Sequence, residues 1–174
     1  LVEAGVPFEV VPGVTSAIAA PSYAGIPLTH RGIASSVTFV TGSESPLKAD
    51  SAVAWGTLAQ AGGTLVVLMG FESLAVIADS LVADGRSPDT PVALIEWGSE
   101  PHQRTVVGSL SDVADKAGCA GLAPPVVAVI GEVVGLREKL RWFDSRPLYG
   151  KRVLVTRSRT QAGGLSELLL SEGA

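Results

Sequence analysis

Apolar and polar positions along this chain fall into short runs, and the periods of those runs predict strands separated by helices. Strands are predicted over residues 36–41 (SVTFVT), 64–69 (TLVVLM), 91–95, 104–107 and 125–130 (PVVAVI), where β-branched side chains cluster between turn residues. Helices are predicted over residues 52–61, 72–84, 110–117 and 132–142. The second of these carries an apolar stripe at Leu74, Ile77, Leu81 and Val82, the spacing of one helix face. Ser111 is placed to cap the third. Strands alternating with helices indicate an α/β layered domain.

The two ends extend the pattern without completing it. Residues 1–13 (LVEAGVPFEVVPG) read as a helix C-terminus, a glycine stop and a strand, so the start of that helix is expected before Leu1. Residues 151–157 (KRVLVTR) read as a further strand and residues 160–172 as an amphipathic helix. One βα unit cannot bury both faces of its strand, so more chain is expected after Ala174. On this reading the sequence is an internal piece of a longer polypeptide. Residues 144–148 (DSRPL) are the expected linker before the last unit, and another boundary is expected near residues 29–34.

Residues 10–31 carry the strongest local signal. They read as a strand end, a Pro-Gly turn, a helix of small residues (Ser16, Ala17, Ala19, Ala20, Ser22, Ala24) and a second turn. The turn into the helix leaves backbone N–H groups at Thr15 to Ala17 without helical partners, the arrangement of a ligand-binding edge in an α/β protein. Small side chains serve tight helix–sheet packing equally well, and the local pattern leaves both readings open.

Composition narrows the classes. Hydrophobic residues make up 47% and aromatics only 5%, which suits a core rich in Val, Leu and Ala. No apolar run approaches the roughly 20 residues that span a bilayer, so no membrane partner is expected. The single cysteine, Cys119, excludes an internal disulfide and a cysteine-based metal site, and suits a reducing cytoplasm. A net charge of −4 conceals a basic cluster over residues 137–159. Arg137, Lys139 and Arg141 read as solvated charges on a helix; without interleaved aromatics they do not suggest a nucleic-acid surface. The sequence has no Ser–His–Asp arrangement, no metal-ligand spacing and no Walker-type loop, and His102 reads as a solvated loop residue.

Residues 12–31 (PGVTSAIAAPSYAGIPLTHR), 64–70 (TLVVLMG), 91–108 (PVALIEWGSEPHQRTVVG) and 127–143 (VAVIGEVVGLREKLRWF) together resemble the uroporphyrinogen-III C-methyltransferases of the tetrapyrrole methylase family. Residues 150–174 (GKRVLVTRSRTQAGGLSELLLSEGA) resemble the opening strand and helix of uroporphyrinogen-III synthases. The resemblance implies the α/β tetrapyrrole methylase fold: residues 1–31 ending its first domain, 34–143 forming its second, 144–149 a linker, and 150–174 the first βα unit of a synthase-like α/β domain. It implies S-adenosylmethionine in the cleft between the methylase domains, left as S-adenosylhomocysteine. It also implies uroporphyrinogen III as substrate and a homodimer.

Residue by residue, the resemblance places Thr15, Ser16, Met69 and Gly98 against the cofactor, with Ala93 on the same surface. Each has a plain structural reading beside it: a helix cap for Thr15, a core filler for Met69, a turn for Gly98. The polycarboxylate substrate needs cationic donors, for which His30, Arg31 and Arg104 are the candidates. The implied reaction is successive methylation of ring carbons, through precorrin-1 to precorrin-2, on the way to sirohaem or cobalamin. The family's Gly-rich loop with its acidic residue, its Gly-Asp-Pro segment and the catalytic groups are expected upstream of Leu1. The chain alone is therefore expected to be inactive. Ser43 and residues 44–50 depart from the family pattern. Rival readings are a non-enzymatic α/β binding module and a precorrin methylase acting on another ring carbon. A nucleotide-dependent oxidoreductase is disfavoured, because no G-x-G-x-x-G turn follows a strand.

Overall fold

The computed structural model describes residues 1–44, 46 and 52–174. Five strands form one mixed sheet in the order β1-β2-β5-β3-β4: β1 (Val37–Thr41), β2 (Thr64–Leu68), β3 (Pro91–Glu96), β4 (Arg104–Ser109) and β5 (Val126–Ile130). β1 and β2 run parallel, and β2–β5, β5–β3 and β3–β4 are antiparallel. All five strands expected from the hydrophobic runs are present.

Alternation along the three central strands divides the core in two, because successive side chains point to opposite faces. Leu65, Val67, Val92, Leu94, Ala128 and Ile130 face α2 (Trp55–Gln60), α3 (Leu74–Ala83) and α4 (Val113–Cys119). Val66, Ala93, Ile95, Val127 and Val129 face α1 (Ser16–Tyr23) and Val133 and Val134. The α3 stripe packs as expected, with Leu74, Ile77 and Leu81 buried. The small residues of α1 serve packing here: Ala17, Ala20 and Ala24 are buried against the sheet, letting the helix lie close to it.

Several sequence expectations are revised. Residues 6–14 are exposed and form no strand, and residues 151–156 likewise form no strand. β-branched composition favours a strand only where a neighbour supplies ladder partners, and none lies beside these segments among the described residues. The helix expected over 132–142 is instead a 3₁₀ turn, Glu132–Leu136, followed by the short α5, Arg137–Leu140. Adjacent buried Val133 and Val134 are stiff at χ1 and disfavour a regular helix start there.

Ser111 does not cap α4, which begins after Asp112; that carboxylate accepts from the Ser109 N–H at 2.8 Å. Nor is Arg137 a solvated charge: it is buried, and its guanidinium donates to the Ala24 carbonyl and to Asp144. The expected linker is consequently tied to the body at its first residue. The helix expected at the C-terminal end is present as α6 (Arg159–Ser171). Among the described residues no helix is long and apolar enough to cross a membrane, and no cluster of side chains could hold a metal ion.

Candidate functional site

The C-terminal ends of β1, β2 and β3 and the start of β5 share one sheet edge, which α1 approaches from one face. Between them lies a groove of about 780 Å³, within the usual range for small-molecule sites. Ser16 and Ala20 line it from α1, Gly42 and Ser43 follow β1, and Met69 follows β2. Trp97, Gly98 and Glu100 follow β3, while Pro124 and Pro125 precede β5.

Backbone conformation marks the rim. Met69, Trp97 and Ser99 are the non-glycine residues with left-handed backbones among those described, at φ 52°, 49° and 75°. Such conformations cost about 1–2 kcal/mol each for an L-residue and persist where the surroundings impose them, characteristically at functional sites. Met69 is also 66% exposed and Trp97 44%, although both are large and apolar. An apolar side chain held in a strained, solvent-facing position is arranged to meet something other than its own core.

Close packing fixes the walls. A Cβ at Gly98 would lie 2.3 Å from the Cβ of Ala20, so glycine is required for the rim to touch α1. A Cβ at Gly42 would lie 2.7 Å from the Cα of Gly70, which brings the ends of β1 and β2 equally close. The Trp97 N–H donates to the Pro125 carbonyl at 3.2 Å, joining the rim to the start of β5. Gln103 is buried, and its side-chain oxygen accepts from the Ser99 N–H at 2.9 Å, closing the rim loop on itself.

The charged groups lining the groove are Glu72 and Glu100, with no lysine, arginine or histidine among the described lining residues. Apolar walls, an exposed indole and two carboxylates suit a ligand with a flat ring and cationic centres. They do not suit a polyanion.

The structure divides the residues singled out from sequence. Ser16, Met69 and Gly98 come together in the groove from three separate elements. Thr15 sits just outside it as the N-cap of α1, its hydroxyl accepting from the Ala17 N–H at 3.3 Å. Ala93 is fully buried at mid-strand in the α1-facing core and does not reach the groove surface. His30 and Arg31 lie outside the lining in an exposed turn, where a His30 ring nitrogen meets the Arg31 carbonyl at 2.8 Å.

Arg104 is committed elsewhere. Its Nε and Nη2 donate to the buried Glu96 at 2.5 and 2.7 Å, and Nη1 and Nη2 to the Ala120 and Gly121 carbonyls at 3.0 and 2.9 Å. The pairing with Arg104, reinforced by the Ala123 N–H, holds the Glu96 carboxyl below its usual range despite burial. Thus Arg104 fastens β3, β4 and the loop before β5. Ser43, expected to depart from the family pattern, lines the groove, whereas residues 45 and 47–50 of the other such stretch lie outside the described residues. His102 is exposed beside Trp97, with ring centroids 5.2 Å apart. Sequence reasoning missed Trp97, Gln103 and the Pro124–Pro125 pair; only the double proline ahead of a strand carried a visible signal.

Comparison with known proteins adds to this geometry. Residues 1–114 match the family described as Tetrapyrrole (Corrin/Porphyrin) Methylases. The chain is 50% identical over 140 residues to an S-adenosyl-L-methionine-dependent uroporphyrinogen III methyltransferase of Methanosarcina barkeri, covering 80% of this chain and 55% of that protein. It is 39% identical over 172 residues to a uroporphyrinogen-III C-methyltransferase of Bacillus subtilis, covering 99% of this chain and 35% of that protein. The chain thus spans about half or less of the length of these relatives. A crystal structure of uroporphyrin-III C-methyl transferase from Thermus thermophilus, complexed with S-adenyl homocysteine, superposes with a TM-score of 0.63 at 38% identity. That match covers 78% of this chain and 57% of the other.

Proposed function

The chain belongs to the tetrapyrrole (corrin/porphyrin) methylase family, and on that premise we propose that its groove holds S-adenosylmethionine for the methylation of uroporphyrinogen III. The observation that carries this reading is the convergence of Ser16, Met69 and Gly98 on a groove whose only lining charges, among the described residues, are carboxylates. When bound, S-adenosylmethionine would supply an electrophilic methyl group to a nucleophilic ring carbon, leaving as S-adenosylhomocysteine with loss of one proton from the ring system.

The chain's own residues supply binding and alignment. Met69 and Trp97 offer apolar surface to the cofactor, and Glu72 and Glu100 complement its sulfonium and ammonium charges. Gly98 keeps the rim against α1, while the Thr15 cap fixes the turn that carries Ser16. The acidic groove disfavours the polycarboxylate tetrapyrrole itself, and His30 and Arg31, exposed outside its lining, are the cationic contacts proposed for that substrate. In this reading the product is precorrin-2, residues 150–174 open a synthase-like domain, and the working protein is a homodimer. In the same reading these 174 residues alone bind the cofactor weakly and do not turn over.

The test is calorimetric titration of the intact gene product with S-adenosylhomocysteine, followed by ¹³C-methyl transfer to uroporphyrinogen III read by NMR. Binding with label on adjacent ring carbons is the expected result. Label on another carbon would replace the substrate assignment, binding without transfer would favour a non-enzymatic module, and absence of binding would sink the cofactor reading. Turnover by the 174-residue chain alone would refute its predicted inactivity.

A further inference from the structure

Resting on the cofactor reading of the groove, we propose that residues 141–149 form a strap holding the two groove walls in register, with Tyr149 and Gln103 as positioning residues for the 97–103 rim. The walls meet where Gly98 packs on Ala20 of α1, and the strap grips both from outside. At one end the Trp142 indole N–H donates to the Ser22 carbonyl of α1 at 3.0 Å, and Phe143 packs edge-on against Tyr23 at 4.9 Å. At the other end the Tyr149 hydroxyl donates to the Gln103 carbonyl at 2.5 Å. Gln103 passes that restraint inward through its side-chain bond to the Ser99 N–H, beside Gly98 and Glu100.

The strap is internally braced. Phe143 meets the Tyr149 ring at 5.4 Å, and the Arg146 guanidinium lies 4.7 Å from the Trp142 ring and 5.2 Å from that of Phe143. Its far end is tied to the C-terminal helix by the Leu148 N–H, which donates to the Glu172 carbonyl at 2.9 Å. Burial pushes the Tyr149 phenol up to about 12, so it stays a protonated donor across the physiological range. The rim it holds contains the left-handed Trp97 and Ser99, a conformation that relaxes unless it is over-determined. A rim that must be re-formed on binding lowers affinity by the fraction of molecules out of shape. Tyr149 does not line the groove, so its effect travels through Gln103, and the strap becomes a determinant of cofactor affinity.

Tyr149→Phe in the intact gene product removes the hydroxyl and keeps the ring. S-adenosylhomocysteine should bind about three- to tenfold more weakly, the range for one lost hydrogen bond. KM for S-adenosylmethionine should rise by the same factor with kcat little changed, and the melting temperature should fall by a few degrees. Amide exchange at residues 97–103 without ligand should accelerate, and Gln103→Met should show a larger loss of affinity. Equal affinity of parent and variant, or unchanged exchange in the rim, would overturn the inference. A parent that fails to bind S-adenosylhomocysteine would overturn the cofactor reading itself, before any variant is compared, and this inference with it.

Discussion

At the residue scale, Gly98 shows how a single missing methyl group governs the site. Two reasons for a glycine there are separable: backbone access for a ligand and contact with Ala20. The geometry supplies the second directly, since a Cβ would sit 2.3 Å from the Ala20 Cβ. Gly98→Ala should therefore push the rim away from α1, destabilising the protein by about 1–3 kcal/mol, the usual cost of overpacking. The double variant Gly98→Ala with Ala20→Gly should recover only part of that loss in a thermal melt, because the added Cβ would still lie 2.8 Å from the residue-20 Cα and a glycine weakens the helix. No recovery would mean that the Ala20 contact is not the constraint. Met69 makes the complementary point: its left-handed backbone and exposure are properties that a one-letter code for a flexible apolar residue does not reveal.

At the element scale, the β3–β4 hairpin is joined to the turn before β5 by the Glu96–Arg104 pair. Glu96 is 3% exposed, so its charge is sustained by the Arg104 fork and the Ala123 N–H. Its folded pKa is lowered relative to the unfolded chain. The stabilisation is therefore present above the unfolded value, near 4.5, and is lost as pH falls through the lower folded value. Arg104→Met should remove this benefit and leave a buried carboxylate without its cation. The expected outcome is a lower melting temperature at neutral pH, with a smaller drop between parent and variant as pH falls below about 4. A constant difference across the acid range would show that Arg104 stabilises through packing alone.

At the scale of the whole molecule, the strap connects α1 and the rim through its aromatic residues and the C-terminal helix through Leu148, segments distant in sequence. Tyr149 reports on that connection. Its phenol is raised by burial and by the Asp144 carboxylate, so its neutral form stabilises the fold fully below pH 10 and that contribution is lost as pH rises toward 12. Ultraviolet titration should show one tyrosine ionising near pH 12, and Tyr149→Phe should abolish that step. A normal titration of Tyr149 would mean that its phenol is not held against Gln103 in solution.

The sequence by itself determined the α/β class, the five strands and the α3 stripe, because periodic burial is written locally in Val, Leu and Ala spacing. Family resemblance, carried by residues 12–31, 64–70 and 91–108, was equally legible, and it singled out Ser16, Met69 and Gly98, which the fold brings together in one groove. Only tertiary structure decided the rest. Residues 6–14 and 151–156 have strand composition, yet no neighbouring strand among the described residues supplies them a ladder. Ala93 differs from a groove residue only by its register in β3, and Arg104 and Arg137 differ from free surface charges only by the partners the fold delivers to them. Strain at Met69, Trp97 and Ser99, and the reach of Tyr149 across to Gln103, are set by contacts between segments far apart in the chain, which no local pattern encodes.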